Sequence, residues 1–215
     1  MNKAAHTPRP YHKGNVAEDL MAAAAKILKT ERFEDLSVRR LAREVGVTPG
    51  NFYNHFPSLN DLLLDLAAEG FDERRRTTAR IMRSSKTRAE AVRKSMVAFV
   101  DLAIENRQLF RIMFGQVPDA SKYDRYREAS DASFGQLVEL VYGENIYDPN
   151  DIPASHERCA VAYGVFALAY GLALTVVEGQ LEFHGAKRAE IHRFVEQVVG
   201  SFFDGSAVEV LKEKA

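Results

Sequence analysis

The feature that most constrains the fold is a short stretch that holds two helix starts separated by a single glycine. Ser37 is a typical N-cap residue, and the residues after it predict a short helix. Gly46 ends this helix, because glycine readily adopts the positive φ angle of a tight turn. Thr48 then caps a second helix, which opens with Pro49 and runs to about His55. Two short helices joined this tightly must cross steeply, which predicts a helix-turn-helix.

The two sides of this predicted unit differ in chemistry. Ala42 is small enough to let the first helix of the pair approach its neighbour, and larger apolar side chains supply the rest of the buried side: Leu41, Val45, Val47 and Phe52. The polar side offers hydrogen-bond donors and acceptors suited to base edges and phosphates: Thr48, Asn51, Tyr53, Asn54 and His55. The pattern therefore indicates a DNA-reading surface.

The same stretch resembles the TetR family of repressors. An ordered set of residues carries the resemblance: Ser37, Leu41-Ala42, Gly46-Val47-Thr48, Gly50 and Phe52-Tyr53-Asn54-His55-Phe56-Pro57-Ser58. The preceding segment Arg9-Pro-Tyr-His-Lys-Gly-Asn15 is similar to the arm of one branch of that family. The resemblance spans residues 9–66 and implies three DNA-binding helices, followed by about six helices that bind ligand and form a dimer.

Carried over residue by residue, the resemblance implies the DNA contacts. They lie in the arm, at the start of the second helix and on the recognition helix: Arg9, Lys13, Ser37, Arg39, Thr48, Pro49, Gly50, Asn51, Tyr53, Asn54 and His55. Tyr53 and His55 match positions that usually touch phosphate. Leu59 departs from the pattern, because the family usually has lysine there. The N–H groups at that helix start, or the basic residues Arg9 and Lys13 of the arm, are then the alternative phosphate contacts.

Each of these assignments has a structural alternative. Tyr53 could instead be a core aromatic residue, and His55 could pack beneath the helix. The arm could remain disordered until DNA binds. Arg40 and Arg43 are interpreted as solvated surface rather than as DNA contacts.

The charge distribution agrees weakly with an N-terminal DNA-binding part. The whole chain has a net charge of −1, yet residues 1–56 hold nine Lys and Arg against six acids. The N-terminal part is therefore positive and the remainder negative, which suits an N-terminal surface that faces phosphate.

Helical spacing continues to the end of the chain, so we predict an all-α protein of about nine helices. It divides into a basic arm (1–14), a helix-turn-helix domain (15–58), a connecting helix (59–84) and a six-helix ligand-binding and dimerisation domain (85–215). The first helix is expected to end near Arg32. Later helices are expected over 107–114, from 118–119 to about Tyr142, over 154–180 and over 187–204.

The C-terminal half resembles the branch of the TetR family named for a Trp-His-Gly motif. Residues 96–114 and 166–171 carry this resemblance, with Phe166 in place of the tryptophan and Tyr170 in place of the histidine. The candidate ligand-pocket residues are aromatic: Phe99, Phe110, Phe114, Phe134, Tyr163, Phe166 and Tyr170. For each of them the interpretation as plain core is favoured over ligand contact, and either Arg111 or Asp101 is a candidate polar contact.

An uncharged run of residues, 159–177, reaches the length of a membrane helix. We favour a soluble helix buried on both sides, because no second such run exists and its flanks are not basic. One side would meet the core and the other a second copy of the chain, beside the amphipathic helix 187–204. Cys159 is expected to be a buried, unreactive thiol.

The sequence lacks the motifs of common enzyme classes: a P-loop, a dinucleotide-binding glycine pattern, a metal-spaced histidine cluster and a nucleophile elbow. We therefore expect no catalysis, no cofactor and no metal. The favoured interpretation is a cytoplasmic homodimeric repressor with no membrane contact. It would bind a palindromic double-stranded DNA operator and be released by a small-molecule effector. A helical interaction protein without DNA affinity is the alternative.

Overall fold

The computed structural model describes residues 15–115, 117–118, 120–180 and 188–203, and this part of the chain is all-α, which confirms the predicted fold class. Its helices are α1 (Val16–Ile27), α2 (Val38–Val45), α3 (Pro49–Phe52), α4 (Leu59–Ser84), α5 (Arg88–Glu105), α6 (Arg107–Met113), α7 (Asp124–Tyr142), α8 (Ile152–Arg158), α9 (Ala160–Val177) and α10 (Arg188–Phe203). Single 3-10 turns lie at Phe33–Asp35 and Ala120–Lys122.

Side-chain caps start four of these helices at the residues that the sequence indicates. Ser37, Thr48, Ser58 and Thr87 each accept a hydrogen bond from the backbone N–H three residues later, at 3.1–3.3 Å. Each cap satisfies an N–H group that has no partner inside its helix. The starts of α2, α3, α4 and α5 are therefore fixed locally.

Two predicted helix ends were wrong. The first helix ends at Ile27 rather than near Arg32, and a hydrogen-bonded turn follows it. The seventh helix begins at Asp124 rather than at 118–119, because a 3-10 turn comes before it. The start of the seventh helix has no side-chain cap, and the end of the first has only a 3.4 Å bond from the Thr30 hydroxyl to the Ile27 carbonyl, so the sequence fixes both ends loosely.

The single long helix predicted over 154–180 is two helices, α8 and α9, which meet at Cys159. Cys159 is fully buried, as expected, but its backbone leaves the helical region with φ −101° and ψ 17°. The Tyr142 hydroxyl accepts a hydrogen bond from the N–H of Val161 at 3.1 Å. This long-range bond satisfies an N–H at the new helix start, which local spacing does not reveal.

The core consists of two apolar clusters. The first joins α1, α2 and α3 to the first half of α4 and extends to Ile112 and Met113 of α6. The second lies among α5, α7, α9 and α10, with Ile81 and Met82 of α4 packed against its edge. Because α4 contributes to both clusters, it connects the two parts of the fold mechanically. The residue numbers of the domain boundaries stay a prediction.

α9 is long and apolar enough to cross a membrane, with a mean hydropathy of 2.0. One such helix is weak evidence for a membrane segment, because core helices pass the same test. Its inner side packs on α5 through Ala162, Ala169 and Ala173, which are 0–5% exposed. On its outer side, a Cβ added at Gly164 or Gly171 would meet no atom within 4 Å. The helix therefore has one packed side and one open side.

The turn between α2 and α3 generates a stability prediction. Gly46 has φ +82°, where an added Cβ meets no atom but strains the backbone, so Gly46→Ala should lower the free energy of unfolding by about 1–2 kcal/mol. Gly50→Ala is the matched control. Its φ is not positive, so helix propensity should leave stability unchanged or raise it by up to about 1 kcal/mol. Urea unfolding followed by circular dichroism measures both, and equal effects would contradict the assignment.

Candidate nucleic-acid interface and ligand cavity

The turn that joins α2 to α3 is built from backbone hydrogen bonds. Gly46 in the left-handed conformation and Val47 both donate their N–H groups to the carbonyl of Ala42, the latter at 2.8 Å. Leu41 and Ala42 are fully buried beneath this turn. The predicted helix-turn-helix is therefore present, and its apolar side faces the core.

Helix α3 is shorter than predicted, since it ends at Phe52 rather than near His55. The N–H groups of Asn54 and His55 bond to carbonyls three residues before them, at 3.1 and 3.0 Å, so the chain leaves α3 through a tight 3-10 turn. Phe52 is fully buried and packs against Phe56, with 5.7 Å between the ring centroids. This aromatic pair holds the short helix in place.

Most predicted DNA-contact residues on α2, α3 and the turn after α3 are exposed. These are Ser37, Arg39, Thr48, Pro49, Gly50, Tyr53, Asn54 and His55. Tyr53 is 57% exposed, so it is not a core aromatic residue, and His55 does not pack beneath the helix. Asn51 is only half-buried, and its Oδ1 is buried without a hydrogen-bond partner among the described atoms.

Ion pairs divide the arginines of α2 into two kinds. Arg40 contacts Glu31 at 2.6 Å, which ties α2 to the turn after α1. Lys26 contacts Glu44 at 2.9 Å, and this hydrogen bond lowers the pKa of the Glu44 carboxyl. Arg39 is exposed and forms no ion pair within the described part of the chain. Arg43 is likewise exposed without an ion pair among the described residues, so both Arg39 and Arg43 are accessible to phosphate, and Arg39 is the one predicted as a DNA contact.

The position where the resemblance expects lysine has a structural role here. Leu59 opens α4, is half-buried and packs against the N-terminal apolar cluster. The two arm residues, Arg9 and Lys13, lie outside the described residues. The described candidate contacts with DNA are therefore those on α2, α3 and the turn after α3.

A cavity of about 360 Å³ lies among α4, α6, α7, α9 and the loop after α7. Four of the seven predicted pocket residues line it: Phe114, Phe134, Tyr163 and Phe166. The other three, Phe99, Phe110 and Tyr170, do not. Tyr170 stacks on Phe166 with 5.5 Å between centroids, while Phe99 and Phe110 are at most 3% exposed. The predicted aromatic set is therefore part cavity wall and part supporting core.

Arg74 also lines this cavity and was missed by the sequence analysis. Its Nη1 donates to the carbonyl of Ser133 at 3.2 Å and to the hydroxyl of the same residue. Its guanidinium also lies 5.2 Å from the centroid of the Phe99 ring. Desolvation lowers the pKa of Arg74 to about 10, so it remains charged at neutral pH. Its helical phase with Gly70, Phe71 and Thr78, which are buried on the same helix, was the available signal.

Neither polar candidate named from the sequence lies in the cavity wall. Arg111 faces Glu34 at 3.9 Å and Glu178 at 3.6 Å. Asp101 faces Nδ1 of His192 at 3.2 Å, in a separate surface groove of about 530 Å³ between α5 and α10. This groove is larger than the aromatic cavity, but none of the predicted pocket residues lines it.

Two short helices with exposed polar residues, carried on a helical bundle with a cavity, form a helix-turn-helix architecture. Residues 20–66 match the family described as bacterial regulatory proteins, tetR family. The match covers α2, α3 and their turn together with most of α1 and the start of α4. It identifies this segment as a TetR-type N-terminal domain.

Solved structures extend the likeness to almost the whole chain. A protein of unknown function from Rhodococcus sp. RHA1 has 26% identity and a TM-score of 0.71, over 92% of this chain and 98% of that one. FadR of Bacillus halodurans, a fatty acid degradation regulator, has 14% identity and a TM-score of 0.63, over 87% and 96%. A TetR-family transcriptional regulator from Bordetella parapertussis 12822 has 15% identity and a TM-score of 0.59, over 89% and 95%. The chain therefore has a TetR-like fold.

Proposed function

We propose that this protein is a sequence-specific DNA-binding transcriptional regulator, a repressor that a small-molecule ligand releases from its operator. The carrying observation is the polar, exposed end of α2 and α3 within the segment that matches the TetR-type family. Arg39 and Tyr53 supply a cation and a hydroxyl at this surface, which suit phosphate oxygens. The start of α3, at 48–51, is the part proposed to face base edges. The site of action is then the cytoplasm.

We propose that the protein acts as a homodimer through α9 and α10. Large apolar side chains remain strongly exposed on both helices: Val161 of α9 and Phe202 and Phe203 of α10 are 39–60% exposed. Only 28% of the apolar stretch of α9 is buried within one chain, so a second copy would cover its open side. Obligate interfaces of this kind bury roughly 2,000 Å² or more. A two-fold pair would place two recognition helices about 34–36 Å apart, or a multiple of it, to enter successive major grooves.

We propose that α4 carries the ligand signal to the DNA-binding end. Phe71 and Arg74 line the cavity, while Leu62 and Leu66 of the same helix are buried in the N-terminal cluster. Helix α6 adds a second route, since Gln108 accepts a hydrogen bond from the N–H of Phe33 at 3.2 Å. A ligand that displaces α4 would therefore tilt the helix-turn-helix. Assignment to the Trp-His-Gly branch stays a proposal, which rests on residues 96–114 and 166–171.

The tilt of α4 predicts a change in the distance between the two DNA-binding ends. A label at Asp19, which is exposed on α1, reports this separation in the dimer without touching the cavity. The distance measured by fluorescence transfer should change when an inducer is added. An unchanged separation, with inducer bound and DNA released, would contradict the tilt.

Two neighbouring arginines test DNA binding against stability. Arg39→Gln removes an unpaired surface cation, so affinity for duplex DNA should fall. The slope of the logarithm of the association constant against the logarithm of salt concentration should become shallower, by the amount that corresponds to about one phosphate contact per subunit. Arg40→Gln breaks the half-exposed pair with Glu31, so it should leave the slope unchanged and cost at most about 1 kcal/mol of stability. Fluorescence anisotropy with a duplex from upstream of the coding region, over a salt series, measures both slopes.

The outcomes of this experiment separate the candidate functions. If the wild-type protein does not bind duplex DNA even at low salt, it is not a DNA-binding regulator. The alternative function, a helical interaction protein without DNA affinity, is then favoured. Equal losses from both arginine variants would show that Arg39 has no contact of its own.

The dimer proposal predicts a sharp response at Val161. Val161→Lys places a charge near the N-terminal start of α9, on its open side, and burying an unpaired charge is strongly unfavourable, so the dimer should weaken at least about tenfold. Ala132→Lys is the matched control, because Ala132 is exposed on α7, away from α9 and α10. Light scattering after size exclusion measures the mass. A dimeric Val161→Lys variant would contradict the interface.

A further inference from the structure

We propose that the effector is an organic anion with a flat or apolar body, and that Arg74 binds its charged end inside the aromatic cavity. This inference rests on the proposed function only in that the bound anion would act as the effector. The binding of the anion itself can be tested without DNA.

The first support is the unbalanced charge of Arg74. Its neighbours on α4 have acidic partners: Arg75 contacts Asp72 at 3.4 Å, and Arg76 contacts Glu73 at 2.7 Å. Arg74 instead points inward to neutral groups, and no carboxylate lies within ion-pair distance of it among the described side chains. A desolvated cation without a counter-charge is unfavourable, and a bound anion would supply that charge.

The second support is the geometry left open at the guanidinium. Its two hydrogen bonds to Ser133 use a single nitrogen, Nη1. A guanidinium has five N–H donors in a planar fork, which matches the two oxygens of a carboxylate. Contact with Phe99 and Ser133 holds the fork at the cavity wall before any ligand arrives. Arg74 is therefore preorganised for a bidentate acceptor.

The rest of the cavity wall determines the polarity and size of the uncharged part of the ligand. Seven of the thirteen lining residues are aromatic, among them Phe71, Phe114, Phe134, Tyr163 and Phe166. Among the described residues of the wall the one acid is Asp131, which accepts a hydrogen bond from the hydroxyl of Tyr147 at 3.0 Å. Its negative charge would repel an anionic end and so direct that end towards Arg74. The volume of about 360 Å³ is at the lower end for ligand pockets, which favours a small molecule.

The test compares acids with their own amides. Octanoate and 4-phenylbutyrate are each paired with the primary amide of the same skeleton, so that shape is held and charge is removed. Isothermal titration calorimetry and thermal unfolding are run on the full chain without DNA. At least one acid should bind about tenfold or more tightly than its amide, the lower range for a charge-assisted hydrogen bond.

Three variants assign the preference to Arg74. Arg74→Met keeps most of the side-chain volume and should abolish the preference for acid over amide. Arg74→Lys keeps the charge without the fork and should retain part of it, which shows that loss in the methionine variant is not misfolding. Arg75→Met is the control, because Arg75 is exposed and should leave the preference intact. Circular dichroism checks the fold of all three.

Two results would overturn the proposal: no acid that binds better than its amide, or a preference that persists in Arg74→Met. A wild-type protein that does not bind duplex DNA would instead contradict the proposed function, and the proposal of anion binding would be unaffected. The two failures are therefore distinguishable.

Discussion

The burial of α4 in two different surroundings is the constraint on which the rest of the structure depends. Its first half belongs to the N-terminal apolar cluster, and its second half packs against α7 and the edge of the C-terminal cluster. A Cβ added at Gly70 would lie 2.6 Å from Sδ of Met113, so the Met113 side chain of α6 keeps its present place against α4 because residue 70 is glycine. One helix therefore fixes the position of the helix-turn-helix relative to the cavity.

The sequence predicted those parts of the fold that local chemistry determines. Ser37, Thr48 and Ser58 mark helix starts because a cap acts within one turn of its own residue. The break at Cys159 was missed because it depends on a hydrogen bond from Val161 to Tyr142, which is distant in the chain. Helix ends without caps were likewise placed several residues away from their observed positions.

The candidate sites show the same division between local and long-range information. The exposed end of α2 and α3 follows from helical phase, which the sequence contains. The difference between Arg39 and Arg40 does not, because it depends on Glu31 in a preceding turn. Arg74 lies in a run of charged residues that is typical of solvated surface, and only the packing of α7 on α4 turns it inward. Tertiary contacts thus determine which charged residues are paired, exposed or turned inward, and the sequence alone does not show this.

The open side of α9 has a consequence for the abundance of the protein. In the proposed dimer, a newly synthesised subunit that has not met a second copy would expose Val161 of α9, together with Phe202 and Phe203 of α10, to water and to cellular proteases. For a protein whose folded state is completed by self-association, stability increases with subunit concentration. When expression falls, the number of intact chains would then fall by a larger factor than the rate of synthesis. The amount of the protein would therefore depend more than proportionally on the number of copies of its gene.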